Sequence, residues 1–199
     1  MSNEYSSVHD FDFSFICEYF SSFKRQGPGS PELTIKALSF IDNLNKDSKI
    51  ADLGCGTGGQ TITLAQNAPG HITAIDLFPE FIRQLNENVA ASGLSDRITG
   101  TVGSMGELTF EKESLDLIWS EGAIYNIGFE AGVNLWHQYL KKGGYLAVSE
   151  GTWFTSERPK EIEDFWMDAY PEIDTIPANV LKMQQAGYVP VAAFVVPED

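Results

Sequence analysis

Between positions 50 and 149, short apolar runs alternate with amphipathic segments, which is the pattern of strands joined by helices in a parallel sheet. Five runs read as strands: residues 50–53, 72–75, 98–102, 115–119 and 145–149. Glycine, acidic or small polar residues flank each of them and suit the intervening turns. Helical signals fill the gaps. Ser30-Pro31-Glu32 offers a cap, a proline at the first helical position and an acid in the first turn, with Leu33, Ala37, Phe40, Ile41 and Leu44 following on one face. A helix opens near Gly59. Another over 79–92 buries Phe81, Ile82, Leu85 and Val89 and stops at Gly93. A further helix is expected over 130–142, ending at Gly143-Gly144. Past the fifth strand come two more, over 159–169 and 175–186, and then an apolar run over 188–196 that reads as a sixth strand.

The start of the chain differs in kind. Phe13, Ile16, Phe20 and Phe23 recur at helical spacing ahead of the breaker-rich Gln26-Gly27-Pro28-Gly29-Ser30. Residues 1–30 therefore read as a helix and turn, either packed on the core or lying as a lid near the strands' carboxyl ends. Residues 31–199 form the main domain, an α/β doubly wound, mostly parallel Rossmann-like sheet with helices on both faces.

Length and charge narrow the function. At 199 residues with 43% hydrophobic content, the chain supports one sizeable core. Its 13 Lys and Arg against 28 Asp and Glu give a net charge of −15, which opposes phosphate backbones and anionic membranes. A small-molecule partner is expected, with no nucleic acid and no membrane; the sequence does not define an oligomeric state. Cys17 and Cys55 have neither CxxC nor Cys/His spacing, so no disulfide framework and no metal site are expected, and the cytoplasm is the default compartment.

Candidate chemistry lies at the strands' carboxyl ends, where open parallel sheets bind ligands. After the first strand comes Asp52-Leu53-Gly54-Cys55-Gly56-Thr57-Gly58. Gly54, Gly56 and Gly58 let a ligand approach the main chain. Gly54, Gly56 and Gly59 also satisfy GxGxxG, so an NAD(P)-dependent oxidoreductase is an alternative to a S-adenosylmethionine (SAM) enzyme. Asp52 separates the two: beside the loop it would attract the methionyl ammonium but repel a pyrophosphate. It serves equally as a carboxylate bonded to loop amides. Asp76, ending the second strand, can accept from both ribose hydroxyls of either cofactor, and Leu77 can pack on an adenine or equally serve as a strand-end core residue. Ser104 and Met105, after the third strand, are placed to border the adenine edge. Glu121, Tyr125 and Asn126 follow the fourth strand as candidates for substrate contact or proton acceptance, with Glu121 also beside the cofactor; Glu121-Gly122-Ala123 serves equally to end the strand. Glu150, Trp153 and Phe154 are candidates for a pocket wall, and the aromatic pair serves equally as core.

The chain resembles the class I SAM-dependent methyltransferases, particularly the UbiE-like, type 11 small-molecule branch. The resemblance covers roughly residues 35–149. It rests on Ile50-Ala51-Asp52-Leu53-Gly54-Cys55-Gly56-Thr57-Gly58, on Asp76, on Leu115-Asp116-Leu117-Ile118-Trp119-Ser120, and on Leu140-Lys141-Lys142-Gly143-Gly144-Tyr145-Leu146. It implies SAM as cofactor and methyl transfer to a small acceptor by in-line displacement; the lack of an unambiguous base and of a last strand leaves a non-catalytic SAM-binding protein as a further alternative. Two departures stand out. Ser104 occupies the neighbourhood of an aspartate that often holds the adenine amino group, and the usual seventh strand is missing, which implies a truncated chain or an open sheet edge.

Overall fold

Tyr19, Phe20, Phe23 and residues 25–196 are described by the structure, a computed structural model. Phe13 and Ile16, half of the expected N-terminal stripe, lie outside the described residues. The elements in chain order are α1 (Pro31–Leu38), β1 (Lys49–Leu53), α2 (Gly59–Asn67), β2 (His71–Asp76), α3 (Pro79–Ala91), β3 (Ile98–Val102), β4 (Leu115–Glu121), a short 3-10 turn (Ile124–Ile127), α4 (Phe129–His137), β5 (Leu140–Ser149), β6 (Thr152–Trp153), α5 (Lys160–Ala169), β7 (Asp174–Thr175) and α6 (Ile176–Gln185). The main sheet runs β3-β2-β1-β4-β5, with every pairing parallel. Strand order reverses between β1 and β4, so the crevice above the sheet opens at their carboxyl ends.

Helices cover both faces. On one, Leu38 of α1, Leu64 of α2, and Ile82, Leu85 and Val89 of α3 pack on Ile50, Ile72 and Leu117. On the other, Phe129, Val133 and Trp136 recur at helical spacing along α4 and pack on Leu53 and Ile118. β1 is buried by both layers from Ile50 to Leu53, which is why it reads as a continuous apolar run with one acid in it.

Three elements depart from the sequence reading. α1 ends at Leu38, so Phe40 is exposed, while Ile41 and Leu44 reach the core from an irregular loop. The helix expected over 130–142 stops at His137. From there Tyr139 accepts from the amides of Ser114 and Leu115, and Leu140 pairs in register with Leu115, so β5 starts five residues before Tyr145. Two buried apolar residues gain a ladder there that a continuing helix would deny them. Gly144 fits at the resulting irregularity because a Cβ would lie 3.0–3.1 Å from three backbone carbonyl oxygens. The third departure is the run over 188–196, which forms no strand. Pro190 removes a ladder donor, and Val189 and Val191 point to solvent.

Candidate functional site

β1 ends by turning sharply under the crevice. Gly54 and Cys55 donate their amides to the Ile75 carbonyl at 2.8 and 3.0 Å, which hangs the loop on β2. Gly54 has φ +74, and a Cβ there would lie 2.3 Å from Ala123 Cβ; Gly56 has φ +55, and a Cβ would lie 1.8 Å from Gln26 Oε1. Both positions demand glycine for backbone conformation, and Gly54 for space as well. Cys55 between them is buried, its thiol pKa pushed up by that burial, and it packs in the core as an unreactive apolar group.

Asp52 is fully buried in β1, directly beneath this loop. Thr61 in α2 donates its hydroxyl to Oδ2 at 2.6 Å, and Oδ1 has no partner. Of the alternatives the sequence left open, bonding to loop amides is not what is seen. Burial lifts the Asp52 pKa to about 7; the charges of Glu121 and Asp76 push the same way, and the Thr61 hydroxyl and the nearby Gln60 side chain oppose them. Asp76 is nearly buried at the end of β2. Its Oδ2 accepts from the Gly56 amide at 2.8 Å and its Oδ1 from the Phe78 amide at 3.1 Å. Its pKa is raised, by burial first. A carboxylate has about four lone-pair sites, so these two bonds leave capacity for hydroxyl donors.

The segment ahead of α1 closes over the loop. Gln26 accepts from the Thr57 amide at 2.9 Å. Arg25 pairs with Glu121 Oε2, while Glu121 Oε1 accepts from the Thr34 hydroxyl at 2.7 Å and from the Trp119 indole at 2.8 Å. The Glu121 carboxylate is therefore engaged by three donors. Arg25 Nε and Gln26 Nε2 are buried without partners. Sequence reasoning did not single out Arg25 or Gln26; the signal available was the Gly27-Pro28-Gly29 breaker, which folds the chain back just before α1.

The remaining candidates divide. Met105 borders Gly54, its Cε 2.9 Å from where a Cβ would stand, and its carbonyl accepts from the Trp136 indole at 2.9 Å. Ser104 accepts from the Gly106 amide at 3.1 Å, closing its own turn. Leu77 is 61% exposed at the mouth of the crevice. Asn126 donates to the Ala123 carbonyl at 2.9 Å, again within its own turn. Tyr125 is half exposed, and its ring meets Tyr170 edge-on at 6.0 Å.

Residues 50–144, from β1 into β5, match the family model described as "Methyltransferase domain". This segment is a methyltransferase domain. Phosphoethanolamine N-methyltransferase of Plasmodium falciparum is 29% identical to the chain over 153 residues, which span 74% of this chain and 54% of that protein. Protein arginine N-methyltransferase 1 of Schizosaccharomyces pombe is 31% identical over 173 residues, covering 76% of this chain and 49% of that protein. The chain thus spans about half the length of the curated relatives it matches. Among solved structures, phosphoethanolamine N-methyltransferase 2 of Haemonchus contortus, in complex with S-adenosyl-L-methionine, shares the fold with a TM-score of 0.74. That likeness covers 92% of this chain and 43% of the other at 17% identity. Within the methyltransferase domain fall Asp52, the glycine loop, Asp76 and Glu121. Arg25, Gln26, Glu150 and Tyr170 lie outside the matched segment.

Proposed function

We propose that this chain binds SAM in the glycine loop and directs its methyl group to a small-molecule acceptor. The observation that carries the proposal is a set of three buried polar atoms without partners around one loop: the acceptor Asp52 Oδ1 and the donors Arg25 Nε and Gln26 Nε2. A buried polar group left unpaired costs about 1–3 kcal/mol, and the amino-acid end of SAM carries an ammonium and a carboxylate, the complement of one acceptor and two donors. The residues of the site fit that group. In this reading Asp52 attracts the ammonium, Arg25 and Gln26 take the carboxylate, and Gly54, Cys55, Gly56 and Gly58 let it lie on the main chain. Asp76 uses its spare lone pairs for the ribose, and Leu77, Ser104 and Met105 border the adenine. A dinucleotide would bring its pyrophosphate against Asp52.

Bound there, SAM supplies a methyl carbon activated by a sulfonium, so the chain has chiefly to align a nucleophile and exclude water. The acceptor then lies over the ends of β4 and β5, near Tyr125 and Asn126. Glu121 acts by holding Arg25, because three donors already engage its carboxylate. Support for a small, non-nucleic acceptor comes from the net charge of −15 and from the relative named for phosphoethanolamine. The cytoplasmic location belongs to the same proposal and is supported by cysteine usage alone. The test is incubation with SAM labelled in its methyl group and a panel of small amines, alcohols and thiols. Label is expected in one class of acceptor; no transfer to any of them by protein that binds SAM would leave a non-catalytic binder.

A further inference from the structure

Outside the matched segment, a second group of buried polar atoms stands unpartnered at the carboxyl edge of the sheet. Ser149 at the end of β5 pairs in register with Glu121 of β4, and its hydroxyl accepts from the Gly122 amide at 2.8 Å. Glu150 comes next. β4 separates β5 from β1, so with adjacent strands ~4.8 Å apart this residue stands roughly 10 Å along the edge from the glycine loop. Glu150 Oε1 accepts from the Gly151 amide at 3.1 Å, whereas Oε2 is buried and unpaired. Tyr170, just past α5, faces it. The Tyr170 hydroxyl is also buried, near the Phe129 amide as well as Glu150, and makes no well-formed hydrogen bond to either. Its ring meets Tyr125 edge-on at 6.0 Å.

Two other charged groups flank this cluster. Glu172 rests against the start of α4, its Oε1 2.8 Å from where a Cβ of Gly128 would stand, a favourable place for an anion. Lys182 of α6 donates to Asp174 at 3.0 Å. Among the described residues of this cluster, only Glu150 Oε2 and the Tyr170 hydroxyl, which face each other, are buried without a well-formed hydrogen bond.

We infer that Glu150 and Tyr170, with Tyr125 beside them, form the acceptor pocket, and that it takes a primary or secondary amine as its ammonium. An ammonium donates to the orphaned Glu150 oxygen and to the Tyr170 oxygen, and the tyrosine rings attract it through their negative faces. A carboxylate or phosphate acceptor would meet Glu150 and Glu172 with like charge. The inference rests on the SAM reading for its chemistry. Before attack the ammonium gives one proton to Glu150, which becomes neutral. The freed nitrogen lone pair then forms the N–C bond as the C–S bond breaks and its electron pair stays on sulfur. Burial lifts the Glu150 pKa to about 7, with Glu172 acting in the same direction and the Gly151 amide, Tyr170 and Lys182 opposing, which brings this carboxyl closer to an amine's range than an exposed glutamate.

The experiment is calorimetric titration of the chain with benzylamine and with benzyl alcohol, which has a similar shape and no charge. The same samples are titrated with S-adenosylhomocysteine. Benzylamine is expected to bind, benzyl alcohol about tenfold or more weakly, and Glu150→Gln to lower amine affinity by about tenfold or more while S-adenosylhomocysteine affinity holds. If Glu150→Gln fails to fold, as its melting curve would show, Tyr170→Phe is measured instead, with a smaller loss expected. Equal binding of amine and alcohol, unchanged amine affinity in the folded variants, or no amine binding by protein that binds S-adenosylhomocysteine would overturn the pocket. Amine binding that depends on Glu150, without S-adenosylhomocysteine binding, would support the pocket and count against the SAM reading.

Discussion

Arg25 and Glu121, 96 positions apart in the sequence, form an ion pair that ties the segment ahead of α1 to the end of β4. Both side chains are largely withdrawn from solvent, at 14% and 12% exposure. Removing the charge from one partner leaves the other buried and uncompensated, which costs about 3 kcal/mol. Glu121→Gln keeps an acceptor for Thr34 and Trp119 but not the charge opposite Arg25. Urea unfolding is expected to show a loss of about 3 kcal/mol, and S-adenosylhomocysteine affinity is expected to fall as the Arg25–Gln26 cover loosens. Unchanged values on both counts would remove the cover from the site.

Asp52 gives a pH dependence of defined sign. Its pKa rises from 3.8 to about 7 on folding, by burial first. Between those values the folded chain holds a proton that the unfolded chain releases, so this group's contribution falls as pH rises from about 4 to about 7. Asp52→Asn removes that decline and can still accept from Thr61. Unfolding free energies measured from pH 4 to 8 are expected to fall less steeply for the variant, which gains on the order of a few kcal/mol at pH 8. Parallel curves would contradict the burial of an unpartnered carboxyl oxygen.

Two glycines with the same left-handed backbone separate strain from crowding. Gly93 has φ +67 and open space around a Cβ, whereas at Gly54 (φ +74) a Cβ would meet Ala123 Cβ at 2.3 Å. Gly93→Ala is expected to cost about 1–2 kcal/mol for the conformation alone. Gly54→Ala adds overpacking of about 1–3 kcal/mol and is expected to abolish S-adenosylhomocysteine binding. Chemical denaturation of the two variants checks the ordering, and equal losses would contradict it.

Gln26 stands where the loop's Thr57 amide points. Gln26→Ala removes that acceptor and one donor proposed for the cofactor's carboxylate. S-adenosylhomocysteine affinity is expected to drop about tenfold, read by titration, with only a small change in melting temperature.

Much of this was legible because it is local. Asp52, Gly54, Gly56 and Asp76 sit on β1, β2 and the loop between β1 and α2, and apolar runs with flanking glycines mark those elements. Leu140-Lys141-Lys142 was misread as helix because its pattern is amphipathic either way. The pairing of Leu140 with Leu115, a contact between distant segments, decides it. Glu121 was legible as an acid at the crevice, but its engagement was not. Thr34 and Arg25, two of its three donors, arrive from the far end of the chain. Arg25, Gln26 and Tyr170 carry no local motif; only the folded chain brings them to the sheet edge.

The central claim concerns the cofactor, and calorimetric titration with S-adenosylhomocysteine of the folded chain and of Asp52→Asn tests it most directly. The proposal predicts one site per chain in the wild type and affinity weakened about tenfold or more in the variant, through loss of a charge-assisted bond to the ammonium. No binding by folded wild-type protein, or NAD(P) binding in its place, would contradict it.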